Sequence, residues 1–401
     1  MTDTQEFYML TQEQRAIITA TVPILEQGGE TLTRHFYKNL FRDHPEVLPY
    51  FNQAHQHSGD QQRALANGVL MYAKNIDKLA ALGDLVATIV NKHVALQIRA
   101  EHYPLVGASL LQAIREVLGE EVASDAVIDA WGAAYGQLAD ILAGEEGRIY
   151  KAQAAAPGGW SGARDFVVQG KSVESGEITS FLMAPADGQP VLDFAPGQYI
   201  GVLVTVDGVP MRRQYSLSAA SNGRTYRISV KREEGGKVSN FFHDHVQAGD
   251  TVQLTPPSGD FVLTDSDKPL VLISGGVGIT PTLAMLAAAL RGKRPVHFIH
   301  AARNHGVHAF RQHIDALAAQ HPQLKRHYCY AEHGGADDAP DAVGLLNKEQ
   351  LNNWLPASRD VDAYFLGPQP FMRAVKQYLR ELGVPEHQTH HEFFGPAAAL
   401  N

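Results

Sequence analysis

Arg213-Gln214-Tyr215-Ser216 places a fixed cation, an aromatic face and a small hydroxyl within one short block. A guanidinium can fork onto a phosphate, a phenol ring can lie on a planar heterocycle, and a hydroxyl can donate to a ring nitrogen. The set suits a flavin, and taken alone it equally suits a solvent-facing strand. A second block, Gly275-Gly276-Val277-Gly278-Ile279-Thr280-Pro281, joins an apolar run to a helical pattern. Its glycines allow close approach to a pyrophosphate, and the helix that follows offers free amides and a positive dipole end. Thr280 is expected to cap that helix and Pro281 to take its first position. The block falls short of a full Gly-x-Gly-x-x-Gly, so a plain tight turn remains open. A third block, Gly235-Gly236-Lys237-Val238-Ser239-Asn240, follows a strand pattern. It reads as a diphosphate site at a helix start capped by Ser239 or Asn240, or else as a hairpin.

Nineteen histidines make the search for a metal ligand a real choice. His44, His55 and His57 lie in polar, turn-rich sequence, and His297 and His300 belong to the last third of the chain. His93 shares a helical stripe with Val86, Ile89, Val90 and Gln97, which turns its ring toward an interior where a metal could meet it. A hydrogen-bonded core histidine would show the same pattern. Gln61 and Leu65 are one helical turn apart and can face one pocket; core packing also explains Leu65, whereas a buried Gln61 needs a partner.

Three kinds of sequence must position these groups. Residues 11–150 carry apolar residues at three and four spacing, as in Leu105, Leu110, Leu111, Ile114, Val117 and Leu118, with punctuation at Gly28-Gly29, His44-Pro45, Ser58-Gly59 and Gly119. This is the pattern of amphipathic helices, and residues 1–150 are expected to form an all-α domain of globin size. Residues 151–163 read as a linker ending in an anchoring Trp160. Residues 151–265 are strand-like: Tyr226, Ile228 and Val230 alternate with Arg227, Ser229 and Lys231, and Asn222-Gly223 signals a hairpin, which together suggest an antiparallel β-barrel. Residues 266–401 alternate strands and helices. Leu270–Ile273, Val296–Ile299 and Ala363–Leu366 read as buried parallel strands and Thr282–Arg291 as a helix, the pattern of an α/β doubly wound nucleotide-binding domain.

A chain of 401 residues at roughly 100–200 residues per domain allows two to four domains. The net charge of −9 argues against a nucleic-acid surface, which needs clustered cations. One cysteine, Cys329, excludes an intrachain disulfide framework and fits a reducing compartment. The polar, acidic start is unlike a secretory signal, so a cytoplasmic protein is expected. Leu270 to Leu290 is an uncharged run of 21 residues, long enough to span a membrane. Gly275, Gly276, Gly278 and Pro281 in its middle favour strand, turn and helix instead, and no membrane span is expected.

Arg213-Gln214-Tyr215-Ser216, Pro196-Gly197-Gln198-Tyr199, the glycine turn at 275–281 and Gly367-Pro368 resemble, in order and spacing, the ferredoxin-reductase superfamily. With the helical region in front, residues 10–396 resemble a flavohaemoglobin throughout. The resemblance implies a globin domain, an FAD domain and an NAD(P)-binding domain of ferredoxin-reductase type. It implies haem b ligated by His93 beside Lys92, with Tyr103 and Glu146 behind the ligand; Glu146 rather than Glu145 has the family's spacing to Ile149-Tyr150. Tyr37 would donate to bound dioxygen, near Gln61 and Leu65. FAD would be held by Tyr199, Arg213, Gln214, Tyr215, Ser216, Gly236, Val238 and Ser239. The closing run Glu392, Phe393, Phe394, Gly395 and Pro396 would complete that seat, with Phe394 over the flavin and Glu392 between flavin and haem. The nicotinamide nucleotide would sit on Gly276, Val277, Gly278, Ile279, Thr280 and Pro281. Leu366 and Phe393 stand where the family often has cysteine, and the first of these bears on nicotinamide positioning and hydride transfer.

The activity implied is that of a nitric oxide dioxygenase: NAD(P)H reduces FAD, FAD reduces haem, and nitric oxide and O2 become nitrate. An oxygen carrier or sensor with an attached reductase, or a flavin-haem reductase acting on peroxides or quinones, are the alternatives. Arg303 in Ala302-Arg303-Asn304 could meet a 2′-phosphate, yet no basic cluster accompanies it, so NADH is favoured over NADPH. A monomer is expected. Met9-Leu10-Thr11 resembles a family start, and the first eight residues carry no signal.

Overall fold

The computed structural model describes residues 10–51, 59–332 and 339–394. They divide into two compact units, one ending at Ala155 and the other beginning at Ala156.

The first unit is helical: α1 (Gln12–Asp43), α2 (Asp60–Lys74), α3 (Gly83–Leu96), α4 (Tyr103–Val122) and α5 (Asp125–Ala155). Thr11 starts α1 with a reciprocal cap, its Oγ1 accepting from the Gln14 amide at 3.1 Å while Gln14 Oε1 accepts from the Thr11 amide at 2.9 Å, which satisfies two otherwise free donors. Ile18, Leu25, Leu32, Phe36 and Leu40 form its buried stripe. The expected break at Gly28-Gly29 is absent, because α1 runs straight through it. Each helical glycine costs about 1 kcal/mol relative to alanine. A Cβ at Gly29 would meet Ala66 Cβ on α2 at an ordinary contact distance of 3.5 Å, so the position takes a small residue. Gly119 does break its helix, with φ 75° and ψ 160°.

α3 ends sooner than the stripe predicted. Leu96 is its last residue, and Gln97 takes a left-handed conformation with φ 62°. Gln97 is nonetheless buried, its amide side chain donating to the Val94 carbonyl at 2.8 Å. α5 extends beyond residue 150 to Ala155, so the expected linker begins as helix.

The second unit opens with Trp160, whose ring meets Phe166 and Tyr226 and whose indole donates to Leu254 O at 3.3 Å. Strands β1 (Arg164–Val173), β2 (Ile178–Pro185), β3 (Tyr199–Val206), β4 (Val209–Ser216), β5 (Tyr226–Lys231) and β6 (Thr251–Leu254) form an antiparallel sheet in the order β4-β3-β6-β1-β2-β5. A bridge from Leu217 to Ile228 joins the two ends and curls it into a barrel around Phe166, Phe181, Ile200, Ile228 and Phe242. The tight hairpin lies at Asp207-Gly208, both with positive φ, as a two-residue type I′ turn requires. Asn222-Gly223 turns the chain too, with Asn222 Oδ1 accepting from the Arg224 and Thr225 amides at 2.9 Å. It lies inside the antiparallel loop that this single bridge closes, where the Ser218 amide also donates to Arg227 O at 2.9 Å. Helix α6 (Lys237–Asp244) lies between β5 and β6.

The remaining strands, β7 (Leu270–Gly275), β8 (Val296–Ala302), β9 (Leu324–Tyr330), β10 (Ala342–Val343), β11 (Asp362–Leu366) and β12 (Thr389–His391), form a parallel sheet in the order β10-β9-β8-β7-β11-β12. Helices α7 (Ile279–Ala289), α8 (Arg311–Gln320), α9 (Lys348–Trp354) and α10 (Gln369–Glu381) cover it. Leu270 and Leu272 face Leu283, Leu286 and Ile314, whereas Val271 and Ile273 face Leu351, Met372 and Val375. Both faces are apolar because both are covered, and each such side chain contributes about 1.5–3 kcal/mol by burial. The strand order reverses at β7, between β8 and β11, which is where doubly wound folds take ligands.

Candidate functional site

In the helical unit, His93 sits in the last turn of α3, Tyr103 opens α4 and Glu146 lies on α5. His93 Nδ1 is 2.8 Å from Glu146 Oε1 and 3.1 Å from the Tyr103 hydroxyl, which donates to the same Glu146 oxygen at 2.7 Å. With the carboxylate as acceptor, the Nδ1 proton is fixed and the Nε2 lone pair is directed to the other side of the ring. Nε2 has no partner among the described residues. The Glu146 side chain is 2% exposed and that of His93 is 30%, so the acid is sealed behind an imidazole that looks outward. Burial, reinforced by Glu146, pushes the Tyr103 phenol well above its ordinary range and keeps it a donor. Glu145 takes no part, pairing instead with Arg148 at 2.8 Å.

The positioning roles of two residues escaped the sequence reading, although Tyr150 served there to mark the spacing of Glu146. Tyr150 donates to Ile98 O at 2.7 Å and holds the chain leaving α3. Tyr135 donates to Tyr103 O at 2.8 Å. Its ring lies where a Cβ on Gly107 would stand only 2.6 Å away. Neither carries a local motif; their periodicity is that of any core tyrosine.

Tyr37 lies on α1 against Phe41 and Phe51 and is 6% exposed. Burial pushes its phenol far above the usual value, and its hydroxyl has no hydrogen-bond partner among the described residues. Gln61 and Leu65 are half-buried on α2, with Leu65 packed on the cluster that contains Tyr37. Lys92 is half-buried beside His93.

These features fit a haem. No group of three His, Cys, Asp or Glu able to hold a bare ion occurs among the described residues, so a metal at His93 must bring most of its own ligands, as a porphyrin does. The stretch Leu79–Leu96 is apolar enough to resemble a membrane span, at mean hydropathy 1.4, yet only 22% of it is buried in the protein. Such a lightly covered apolar face suits a flat apolar ring system.

In the second unit, Arg213 to Ser216 lie on β4, in register with Val202 back to Tyr199 on β3. Arg213 is half-buried and bonds only to the neighbouring Arg212 carbonyl, at 2.6 Å; no carboxylate partner occurs among the described residues. Burial lowers its pKa, the mark of a cation that an anion would stabilise. The Tyr215 ring is 6.0 Å from that of Phe242, Gln214 is exposed, and the buried Ser216 hydroxyl has no partner within the described residues.

At the start of α6, Gly236 is the N-cap and no side chain caps the helix. Neither Ser239 nor Asn240 does so, because both point back into the turn. Ser239 Oγ accepts from the Glu233 amide at 3.2 Å, and Asn240 Nδ2 donates to Gly236 O at 2.7 Å. The amides of Lys237, Val238 and Ser239 thus head the helix without intrahelical acceptors. Tyr199 is raised in pKa by burial and then by the charge of Glu392, which sets Glu392 near its ring. Phe393 packs into the sheet core, while Phe394 leaves 51% of its surface exposed. Gly395 and Pro396 lie outside the described residues. A half-buried unpaired cation, an unpartnered hydroxyl and an exposed ring fit FAD.

The glycine turn is a short 3-10 segment, Gly276–Gly278, entering α7 at Ile279. Thr280 is therefore the second helical residue, not the cap, and its hydroxyl donates to Val277 O at 3.0 Å. Pro281 is the third, where the amide proton is still dispensable. Gly276 has φ 54°, and no atom lies within 4 Å of where its Cβ would be, which leaves backbone open to a ligand. A Cβ on Gly278 would stand 2.4 Å from Leu366 O, so this glycine lets the turn press on Leu366-Gly367. Val277 is half-buried, and Ile279 and Thr280 are buried beneath it. Leu366 is buried in the sheet core.

Comparison with known proteins accords with these three parts. Family models match in the same order: Globin over residues 34–142, Oxidoreductase FAD-binding domain over 165–263 and Oxidoreductase NAD-binding domain over 272–377. The flavohemoprotein of Pseudomonas putida is 67% identical over 393 residues, covering 98% of this chain and 100% of its own length. That of Pseudomonas aeruginosa is 63% identical with the same coverage. Among solved structures, a Malassezia yamatoensis flavohemoglobin with bound FAD and heme superposes with a TM-score of 0.84 at 26% identity, over 96% of this chain and 100% of that one. The FAD/NAD-binding domain of a nitric oxide dioxygenase from Vibrio cholerae matches with a TM-score of 0.54 at 43% identity, over 58% of this chain and 99% of its own. The chain is an oxidoreductase that takes haem, FAD and a nicotinamide nucleotide, and it belongs to the flavohemoprotein family.

Proposed function

We propose that this protein is a nitric oxide dioxygenase, combining nitric oxide, dioxygen and one electron into nitrate, so that one hydride from NAD(P)H serves two turnovers. The observation that carries this reading is the contact of His93 Nδ1 with the sealed Glu146 carboxylate. An imidazole with an anionic partner is a stronger donor to a metal, as suits oxygen activation better than reversible carriage. When bound, haem supplies the iron at which the two gases meet, FAD the change from two-electron to one-electron transfer, and the nicotinamide the hydride.

The side chains divide the remaining work. His93 holds the metal through Nε2, Glu146 keeps the Nδ1 proton in place, and Tyr103 orients Glu146 by donating to the same oxygen. Tyr37 offers a desolvated hydroxyl to a bound gas, a bond worth about 1–3 kcal/mol, with Gln61 and Leu65 on the facing helix and Lys92 beside His93. Arg213 and the amides of Gly236, Val238 and Ser239 hold the FAD diphosphate. Tyr199, Gln214 and Tyr215 frame the flavin, Ser216 donates to it, and Glu392, Phe393 and Phe394 close the seat. Gly276 to Pro281 take the nucleotide at the strand reversal. We place the protein in the cytoplasm, where the lone Cys329, buried and pushed up to about 11 by that burial, stays a thiol.

The test is aerobic consumption of NADH and nitric oxide with nitrate as product. Nitric oxide should accelerate NADH oxidation in a haem-dependent way. Slow NADH oxidation that nitric oxide does not stimulate would show an oxygen carrier or sensor. Reduction of ferric chelates, peroxides or quinones without nitric oxide turnover would show a reductase, the reading that the peroxidase-like pairing of Tyr103 with Glu146 favours.

A further inference from the structure

We propose that Glu177, on the barrel, sets the nucleotide preference by withholding Arg303 from a 2′-phosphate, so that NADH is the electron donor. Arg303 directly follows β8, the strand beside β7 and its glycine turn. In a doubly wound fold the end of the neighbouring strand is where the adenosine ribose is read, by an acid for NADH or by an arginine for the 2′-phosphate of NADPH. Arg303 is the arginine this chain offers there, and it is engaged: its Nη2 pairs with Glu177 Oε1. The proposal rests on the NAD(P)H reading of the glycine turn.

Glu177 is well fixed. It lies in the turn between β1 and β2, where its amide donates to Ser175 Oγ at 3.3 Å and its carbonyl accepts from the Arg232 amide at 2.8 Å. The adjacent Gly176 amide donates to Gly306 O at 2.8 Å, in the loop that follows Arg303. The barrel turn and the β8 loop are thus tied by backbone as well as by charge. The Arg303 carbonyl accepts from the Glu332 amide at 2.7 Å, and Asn304 Nδ2 donates to Glu332 Oε2 at 3.4 Å. A 2′-phosphate arriving here would meet one guanidinium already neutralised by Glu177 and a second carboxylate, Glu332, beside it.

The pair is exposed, at 62% for Arg303 and 29% for Glu177, and exposed ion pairs are worth at most about 1 kcal/mol. Freeing Arg303 should therefore improve NADPH use by about fivefold, and more if relief of repulsion between Glu177 and the phosphate adds to it. Because Glu177 acts through Arg303 it is a positioning residue, and its effect should fall on KM rather than kcat.

The experiment is steady-state reduction of ferricyanide by the holoenzyme with NADH or NADPH, which scores the nucleotide site without nitric oxide. Glu177→Gln should lower KM for NADPH about fivefold with NADH kinetics unchanged, and should tighten competitive inhibition by adenosine 2′,5′-bisphosphate to a similar extent. The gain should vanish in Glu177→Gln/Arg303→Gln. An unchanged NADPH KM and bisphosphate inhibition in Glu177→Gln, or a gain that survives in the double variant, would overturn the proposal. Absence of nitric oxide turnover alongside the expected NADPH gain would strike the proposed function and leave this inference standing.

Discussion

The two candidate sites, around His93 and around Arg213 to Ser216, are built in opposite ways. His93, Tyr103 and Glu146 come from three helices, and the critical bond from His93 to Glu146 spans 53 positions of chain. Arg213, Tyr215 and Ser216 sit on one strand, in register with Tyr199 to Val202 across a two-residue turn. A strand fixes its side chains by its own pleat once paired, whereas a helix fixes only which residues share a face. The first site depends on helix packing for its geometry, and the second on packing mainly for burial.

Removing one cofactor without the other would sharpen that contrast most. His93→Ala should abolish the haem absorbance band while flavin absorbance stays, and Arg213→Ala should do the reverse, weakening FAD retention about 10-fold or more through loss of a charge-assisted phosphate contact. Loss of both cofactors in either variant would break the separation.

A smaller effect is expected behind the ligand. Glu146→Ala leaves His93 Nδ1 and the Tyr103 hydroxyl without their acceptor, and nitric oxide turnover should fall about 10–100-fold, as for other partners of metal-bound histidines. Ferricyanide reduction, which needs only the second unit, should be unaffected. A matching loss there would show that the two sites are not independent.

A separate effect, on stability rather than on turnover, concerns the second unit in acid. Burial holds the His300 imidazole at about 3, far below the ordinary 6.5, and depresses His308, whose ring is tilted against it with centroids 4.5 Å apart, further still. Below pH 6.5 the unfolded chain takes up protons that the native state refuses. Stability is therefore complete above that pH and declines as pH falls toward 3, by up to about 1.4 kcal/mol per pH unit for each histidine. Denaturant midpoints followed by flavin fluorescence between pH 7 and 5 should fall accordingly. A flat profile would show that His300 is not a buried neutral group.

Much was legible without a structure, for reasons particular to each element. Leu270–Ile273 is apolar on both faces because helices cover both, so its run of β-formers identified a buried parallel strand. The glycine turn was readable because Gly276 needs a positive φ and Gly278 a close approach to Leu366, demands that few other residues meet. The caps misled: Thr280, Ser239 and Asn240 have the right chemistry, but each bonds into its own turn. Gly28-Gly29 read as a break because local propensity ignores the neighbouring helix that makes a small residue useful there. The positioning roles of Tyr135 and Tyr150 were invisible because their partners are carbonyls distant in sequence.

By itself the sequence determined the order of the parts, the strand that carries Arg213 to Ser216, the glycine turn at 275–281 and the residue types able to hold a metal, because each depends on local backbone conformation or on side-chain chemistry. Tertiary structure alone decided how closely Glu146 meets His93, how thoroughly it is sealed, and that Arg303 is paired with Glu177. Those are meetings between segments far apart in the chain, and only packing fixes the distances on which charge and hydrogen bonding depend.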